Sequence, residues 1–171
     1  MGSITVGKYA GFCFGVKRAV DKVRSLTDGS DGGIRFYTTG ELIHNPDIVS
    51  RLRRKGVIPA SEDELREICA GEPDGIRRTI VIRAHGVTKE LSDLLAARAA
   101  ADPLFAVEDC TCPYVKKIHR IVDENTSLET LTAILGDEGH PEVRGICSYV
   151  KGEYAVGETA EELCDKIRLY N

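Results

Sequence analysis

Two cysteines and three histidines in this chain occupy positions suited to chemistry. Cys13 lies in Ala10-Gly11-Phe12-Cys13-Phe14-Gly15, and Cys112 lies in Asp109-Cys110-Thr111-Cys112-Pro113. Each stands just ahead of a run with helical apolar spacing, with a valine (Val16, Val115) three positions on. A thiol at a helix N-terminus faces unpaired N–H groups and the positive end of the helix dipole, which favour thiolate. Thiolate attacks electrophiles or binds soft metals, and thiolates without acidic co-ligands suit iron–sulfur clusters. His44, His85 and His140, each beside glycine-bearing loops, suit an anion such as a phosphate or diphosphate. Glu142, two positions after His140, can pass a proton to whatever binds there. His119 sits inside the helical run Lys116-Lys117-Ile118-His119-Arg120 and reads as a surface or packing residue.

The elements that must position these groups alternate. Residues 2–9 read as a strand running into the helix after Cys13. Residues 27–33 are a Gly/Asp/Ser-rich loop, 34–39 a strand, 47–55 a helix, and 57–58 a short strand. Residues 62–70 form a helix capped by Ser61, with acidic residues in its first turn. Residues 79–83 make a β-branched strand, and 89–101 a helix rich in Ala and Leu. Asp102-Pro103 stops that helix and marks a domain boundary. Beyond it come strand 104–108, helix 113–124, strand 130–135, a helix or turn from Pro141, strand 154–156 and helix 160–167. The pattern is α/β: two similar small domains, 1–102 and 103–171, with mainly parallel sheets flanked by helices. In such sheets function sits in loops at the carboxyl ends of the strands. His44, His85 and His140 all follow predicted strands. The two thiols, one per half, then imply a centre shared between the units.

With 171 residues, 42% hydrophobic and 29% charged, the chain has the composition of an ordinary globular protein with a real core. A net charge of −4 gives no reason to expect nucleic acid or an anionic membrane as partner. No apolar run reaches the roughly 18 residues of a membrane span, and no signal-peptide pattern opens the chain, so the expected location is the cytoplasm. Six cysteines in that setting point away from a disulfide framework. Cys69, Cys147 and Cys164, in or beside apolar periodic stretches, read as small core residues. Cys110 either chelates together with Cys112, as in a zinc or dithiol module, or simply sits at a strand end.

Taken in order and spacing, Ala10-Gly11-Phe12-Cys13-Phe14-Gly15-Val16, Ile43-His44-Asn45, Ala84-His85-Gly86-Val87, Thr111-Cys112-Pro113 and Gly139-His140-Pro141-Glu142-Val143 resemble the 4-hydroxy-3-methylbut-2-enyl diphosphate reductase family. The resemblance runs over essentially the whole chain. It implies a trefoil-like architecture of three α/β domains around a 4Fe–4S cluster, with Cys13 and Cys112 as two of the cluster's ligands. It further implies that His44, His85 and His140 bind the diphosphate of an allylic substrate and that Glu142 relays a proton to its hydroxyl. The implied reaction is reductive dehydroxylation to isopentenyl and dimethylallyl diphosphates in the non-mevalonate isoprenoid pathway, with electrons from a ferredoxin- or flavodoxin-like donor. Family members continue for about one further domain, which supplies a third cysteine. Neither Cys147 nor Cys164 matches that ligand's setting. The resemblance therefore leads us to expect a fragment lacking its third domain and inactive alone, or a non-catalytic module that pairs with another chain.

Overall fold

The computed structural model describes residues 2–8, 10–30, 32–43 and 45–170. Thirteen elements alternate along them: α1 (Phe14–Asp28), β1 (Ile34–Thr39), α2 (Pro46–Arg54), β2 (Val57–Ala60), α3 (Glu62–Ala70), β3 (Arg77–Ile82), α4 (Lys89–Ala101), β4 (Phe105–Asp109), α5 (Pro113–Asn125), β5 (Leu131–Leu135), α6 (Pro141–Ser148), β6 (Glu153–Gly157) and α7 (Ala160–Arg168). The first four strands form one parallel sheet in the order β2-β1-β3-β4, and β5 and β6 form a second, two-stranded parallel sheet.

β3 shows why the larger sheet is a buried layer. Its last four residues, Thr79-Ile80-Val81-Ile82, are all buried. A strand with helices on both faces reads as a continuous apolar run rather than an alternation. Val81 packs on one face with Ala19, Val20 and Val23 of α1 and Leu52 of α2. Ile80 and Ile82 pack on the other, with Leu65 of α3 and Leu91 and Leu95 of α4. Burying such side chains contributes about 1.5–3 kcal/mol each, and this two-sided core is the main stabilising term.

The helices start where the sequence says they should. Ser61 caps α3 with a full capping box: its hydroxyl accepts from the Glu64 N–H at 3.2 Å, and the Glu64 carboxylate accepts from the Ser61 N–H at 2.7 Å. Ser61→Ala is expected to cost about 1 kcal/mol and to lower the melting temperature by roughly 2–4 °C in a thermal melt. α4 ends at Ala101 as expected, with the Asp102 carboxylate accepting from the Leu104 N–H at 2.9 Å and pairing with Arg98 at 3.0 Å.

Three expectations change. Residues 2–8 form no strand and are exposed, with Ile4 94% and Val6 76% accessible; Tyr9 lies outside the described residues. Their alternation is that of a strand, but none of the described strands pairs with it. The boundary expected at 102/103 falls inside the larger sheet, because β4 pairs with β3 from Arg78↔Phe105 to Ile82↔Asp109. The Asp-Pro pair ends a helix there; it does not end the sheet. Cys164 is exposed, because no residue of α7 is buried. Cys69 is buried as expected, and Cys147 half-buried. None of the described helices is long and apolar enough to cross a membrane.

The strand order places a topological switch between β1 and β3, whose chain neighbours lie on opposite sides. Ligands in open parallel sheets bind at the carboxyl ends of strands beside such a switch. The loop leaving β3 there carries His85; His44 follows β1 in sequence and lies outside the described residues.

Candidate functional site

Among the described residues seven helices have assigned N-caps, and five are capped by a side chain: Asn45, Ser61, Thr88, His140 and Thr159. The other two begin at Cys13 and Cys112, and neither side chain makes a capping hydrogen bond. Cysteine is a poor cap, so its use at these two starts forgoes about 1 kcal/mol apiece that Ser or Asp would contribute. It also leaves the first-turn N–H groups of α1 and α5 open to a ligand.

The two starts lie against each other. A Cβ added at Gly15, two residues after Cys13, would stand 3.0 Å from the Cys112 Sγ. A side chain at residue 15 would force Cys112 to give way by a few tenths of an ångström. The Arg18 guanidinium, one turn further along α1, donates to the Thr111 carbonyl oxygen at 2.6 Å, fixing α1 to the β4–α5 turn. The Cys112 N–H donates to the Ala84 carbonyl oxygen at 2.9 Å, tying the same turn to the loop that carries His85. The starts of α1 and α5 and the β3–α4 loop are thus tied together at Cys112.

Cys110 takes no part. It is 4% exposed in the core beneath α1, and burial pushes its thiol up. A dithiol or zinc pair of Cys110 with Cys112 would require that core side chain to turn out of the sheet. Among the described residues no group of three or more His, Cys, Asp or Glu side chains forms a metal-binding cluster.

His85 and His140 meet edge to face, with ring centroids 5.9 Å apart and planes at 84°. His140 caps α6: its Nδ1 accepts from the Glu142 N–H at 3.2 Å. In the neutral imidazole an accepting Nδ1 leaves the proton on Nε2, so His140 presents a donor to its surroundings. The turn before it is held by Asp137, whose carboxylate accepts from Gly139 N–H at 2.8 Å and whose carbonyl accepts from His140 N–H at 3.0 Å. Glu142 sits in the first turn of α6, half-buried. His44 lies outside the described residues; the helix two positions on is capped by Asn45, whose side chain accepts from the Ile48 N–H at 3.1 Å.

One residue gains importance over its sequence reading. His119 is a packing residue, 6% exposed and stacked on Tyr149 at 4.4 Å with planes 19° apart. Burial pushes its pKa below the ordinary imidazole value, against the opposing pull of Glu142 and Asp109. It lies seven positions after Cys112 and four after Val115, on the buried face of α5, so its burial was readable from helical spacing.

Asp109 secures the turn before Cys112. Burial raises its pKa, but hydrogen bonds from Lys116 (2.6 Å) and Thr111 N–H (2.8 Å) outweigh this and hold the carboxyl below its ordinary value. A carboxylate depressed in the folded state contributes stability above its unfolded pKa, which is lost as pH falls through the folded value. Acid titration followed by circular dichroism should therefore show the wild type losing stability below about pH 4 faster than Asp109→Asn.

The LytB protein family matches residues 4–170. A 4-hydroxy-3-methylbut-2-enyl diphosphate reductase from Thermoanaerobacter sp. (strain X514) is 40% identical over 159 residues, covering 93% of this chain and 51% of its own. The protein of the same name from Aquifex aeolicus (strain VF5) is 36% identical over 171 residues, covering 98% and 54%. A solved structure of (E)-4-hydroxy-3-methyl-but-2-enyl diphosphate reductase, described as the terminal enzyme of the non-mevalonate pathway, superposes with a TM-score of 0.71 at 34% identity over 96% of this chain and 54% of that one. The Plasmodium falciparum reductase structure shares the fold, with a TM-score of 0.70 at 23% identity over 91% of this chain and 44% of that one. The chain spans about half the length of the curated relatives it matches. With its two cysteine-started helices and its histidine pair on an alternating α/β chain of parallel sheets, the chain belongs to the LytB family.

Proposed function

We propose that this chain forms part of a cytoplasmic 4-hydroxy-3-methylbut-2-enyl diphosphate reductase and supplies two of the ligands of its 4Fe–4S cluster, Cys13 and Cys112. The observation that carries this reading is the pair of helices begun by uncapped cysteines and packed against each other at Gly15. The fit of the donor set is partial but chemically apt: two sulfur donors beside open N–H groups suit an anionic iron–sulfur cluster, and two are fewer than its usual set. A third cysteine from the remainder of a full-length protein completes the set.

In this reading His44, His85 and His140 bind the substrate's diphosphate. The His140 Nε2–H donates to a phosphate oxygen, and its orientation is held from behind by the Glu142 N–H. The Glu142 carboxyl protonates the allylic hydroxyl so that it departs as water, since hydroxide is a poor leaving group. When bound, the cluster supplies the two electrons of the reduction, taken from a ferredoxin- or flavodoxin-like donor, and Lewis acidity for C–O cleavage. With two electrons and two protons consumed, the products are water and isopentenyl or dimethylallyl diphosphate.

The test is iron and sulfide content, read with the visible spectrum after anaerobic reconstitution, of this chain and of a full-length protein that contains it. Near four irons in the longer protein, and much less in the 171-residue chain with no reductase turnover, is the expected result. Absence of iron from the longer protein would overturn the reading.

A further inference from the structure

The histidine pair is set by two separate elements, the β3–α4 loop for His85 and the start of α6 for His140, and one side chain touches both. Gly86, directly after His85, has φ +76°, in the left-handed region. A Cβ there would stand 3.1 Å from the Cε1 of His119. Gly145, on the buried face of α6, approaches the same end of the ring: a Cβ there would stand 3.2 Å from the His119 Nε2, 3.5 Å from its Cε1 and 3.6 Å from the Val87 carbonyl oxygen. The ring plane is fixed by the stack on Tyr149, the C-cap of α6. The Cε1–Nε2 end of the imidazole thus meets a glycine of each element, and its Nε2 has no hydrogen-bond partner among the described residues. A buried nitrogen left so costs roughly 1–3 kcal/mol, which a Leu or Met at this position would avoid.

We propose that His119 is a positioning residue: wedged between Gly86 and Gly145, it sets the separation and angle of His85 and His140. Packed interiors transmit small displacements because there is no void to absorb them. A change of a few tenths of an ångström at His119 is therefore felt at both histidines, and a polyanion gripped by two donors is sensitive to their spacing. The proposal adds to the diphosphate reading, on which only its affinity arm rests.

Gly145→Ala tests it with little risk to folding. The position is helical, Ala favours helix over Gly by about 1 kcal/mol, and the new methyl group presses on the His119 ring. In the 171-residue chain we would record histidine ring resonances by NMR, thermal melts, and titrations with inorganic diphosphate, for wild type, Gly145→Ala, His119→Ala and the double variant. The expected result is that the His85 and His140 signals move in Gly145→Ala with no loss of melting temperature. Diphosphate affinity should fall on the order of tenfold in each single variant and no further in the double one, since the pair acts through one contact. His85 and His140 signals that stay put while the His119 signal moves would overturn the proposal, as would additive losses in the double variant. A wild-type chain that ignores diphosphate would overturn the diphosphate reading alone, and the ring resonances would still decide the role of His119.

Discussion

Replacing Cys13 or Cys112 with serine should make the apo chain more stable while abolishing cluster assembly in a full-length protein. The two effects have one cause. Serine is a strong N-cap, and its hydroxyl would accept the first-turn N–H that neither cysteine engages. Each substitution should add about 1 kcal/mol, read as a rise of roughly 2–4 °C in melting temperature. The same atom change replaces a soft sulfur donor with an oxygen that binds iron poorly at such a site. Iron and sulfide analysis of the reconstituted full-length variants should fall from near four irons to background. A variant that keeps its full iron content would remove that cysteine from the ligand set. Cys13 is exposed and Cys112 half-buried, so the melting temperature reads the cap and the iron content alone assigns the ligand.

Glu142→Gln should lower the turnover of a full-length reductase by about 10²–10⁴-fold, the usual contribution of a positioned proton donor. The substitution is unusually clean. The contact that holds His140 is made by the main-chain N–H of residue 142, which glutamine retains. The histidine's tautomer and the start of α6 should persist, so KM should change little while kcat collapses. A comparable fall in substrate affinity would mean that the carboxylate acts in binding rather than in proton delivery.

Much of this architecture is readable in the residues. β3, α3 and α4 carry unambiguous local signals: a β-branched run, the Ser61 capping box, and Asp102-Pro103 after an Ala-rich helix. The failures share a physical origin. Ile4 and Val6 alternate like a strand, yet pairing depends on an available sheet edge, which no local pattern specifies. Asp102-Pro103 is a reliable helix stop, but whether the next strand joins the same sheet is a long-range matter, and β4 joins β3. Cys164 occupies an apolar helical stripe, and a stripe cannot say whether anything covers it. The site divides in the same way. Cys13 and Cys112 were legible because a helix start is local. The Gly15–Cys112 approach and the His119 wedge join residues distant in sequence, and only the folded chain reveals them.

The two sheets differ in a way that bears on how the chain behaves over time. The buried stretch of β3 is covered on both faces, whereas β5 and β6 form a two-stranded ribbon flanked by a helix that buries none of its own residues, with Leu135 of β5 64% exposed. Amide hydrogens in such a ribbon exchange through local opening that costs far less than global unfolding. His85 follows β3 of the larger sheet and His140 follows β5 of the ribbon, so an anion held by both, as proposed, would bridge the two sheets. If the proposed binding is right, saturating anion should slow exchange in β5 and β6 while leaving β1 and β3 unchanged, because a ligand that binds only the closed form stabilises it by mass action.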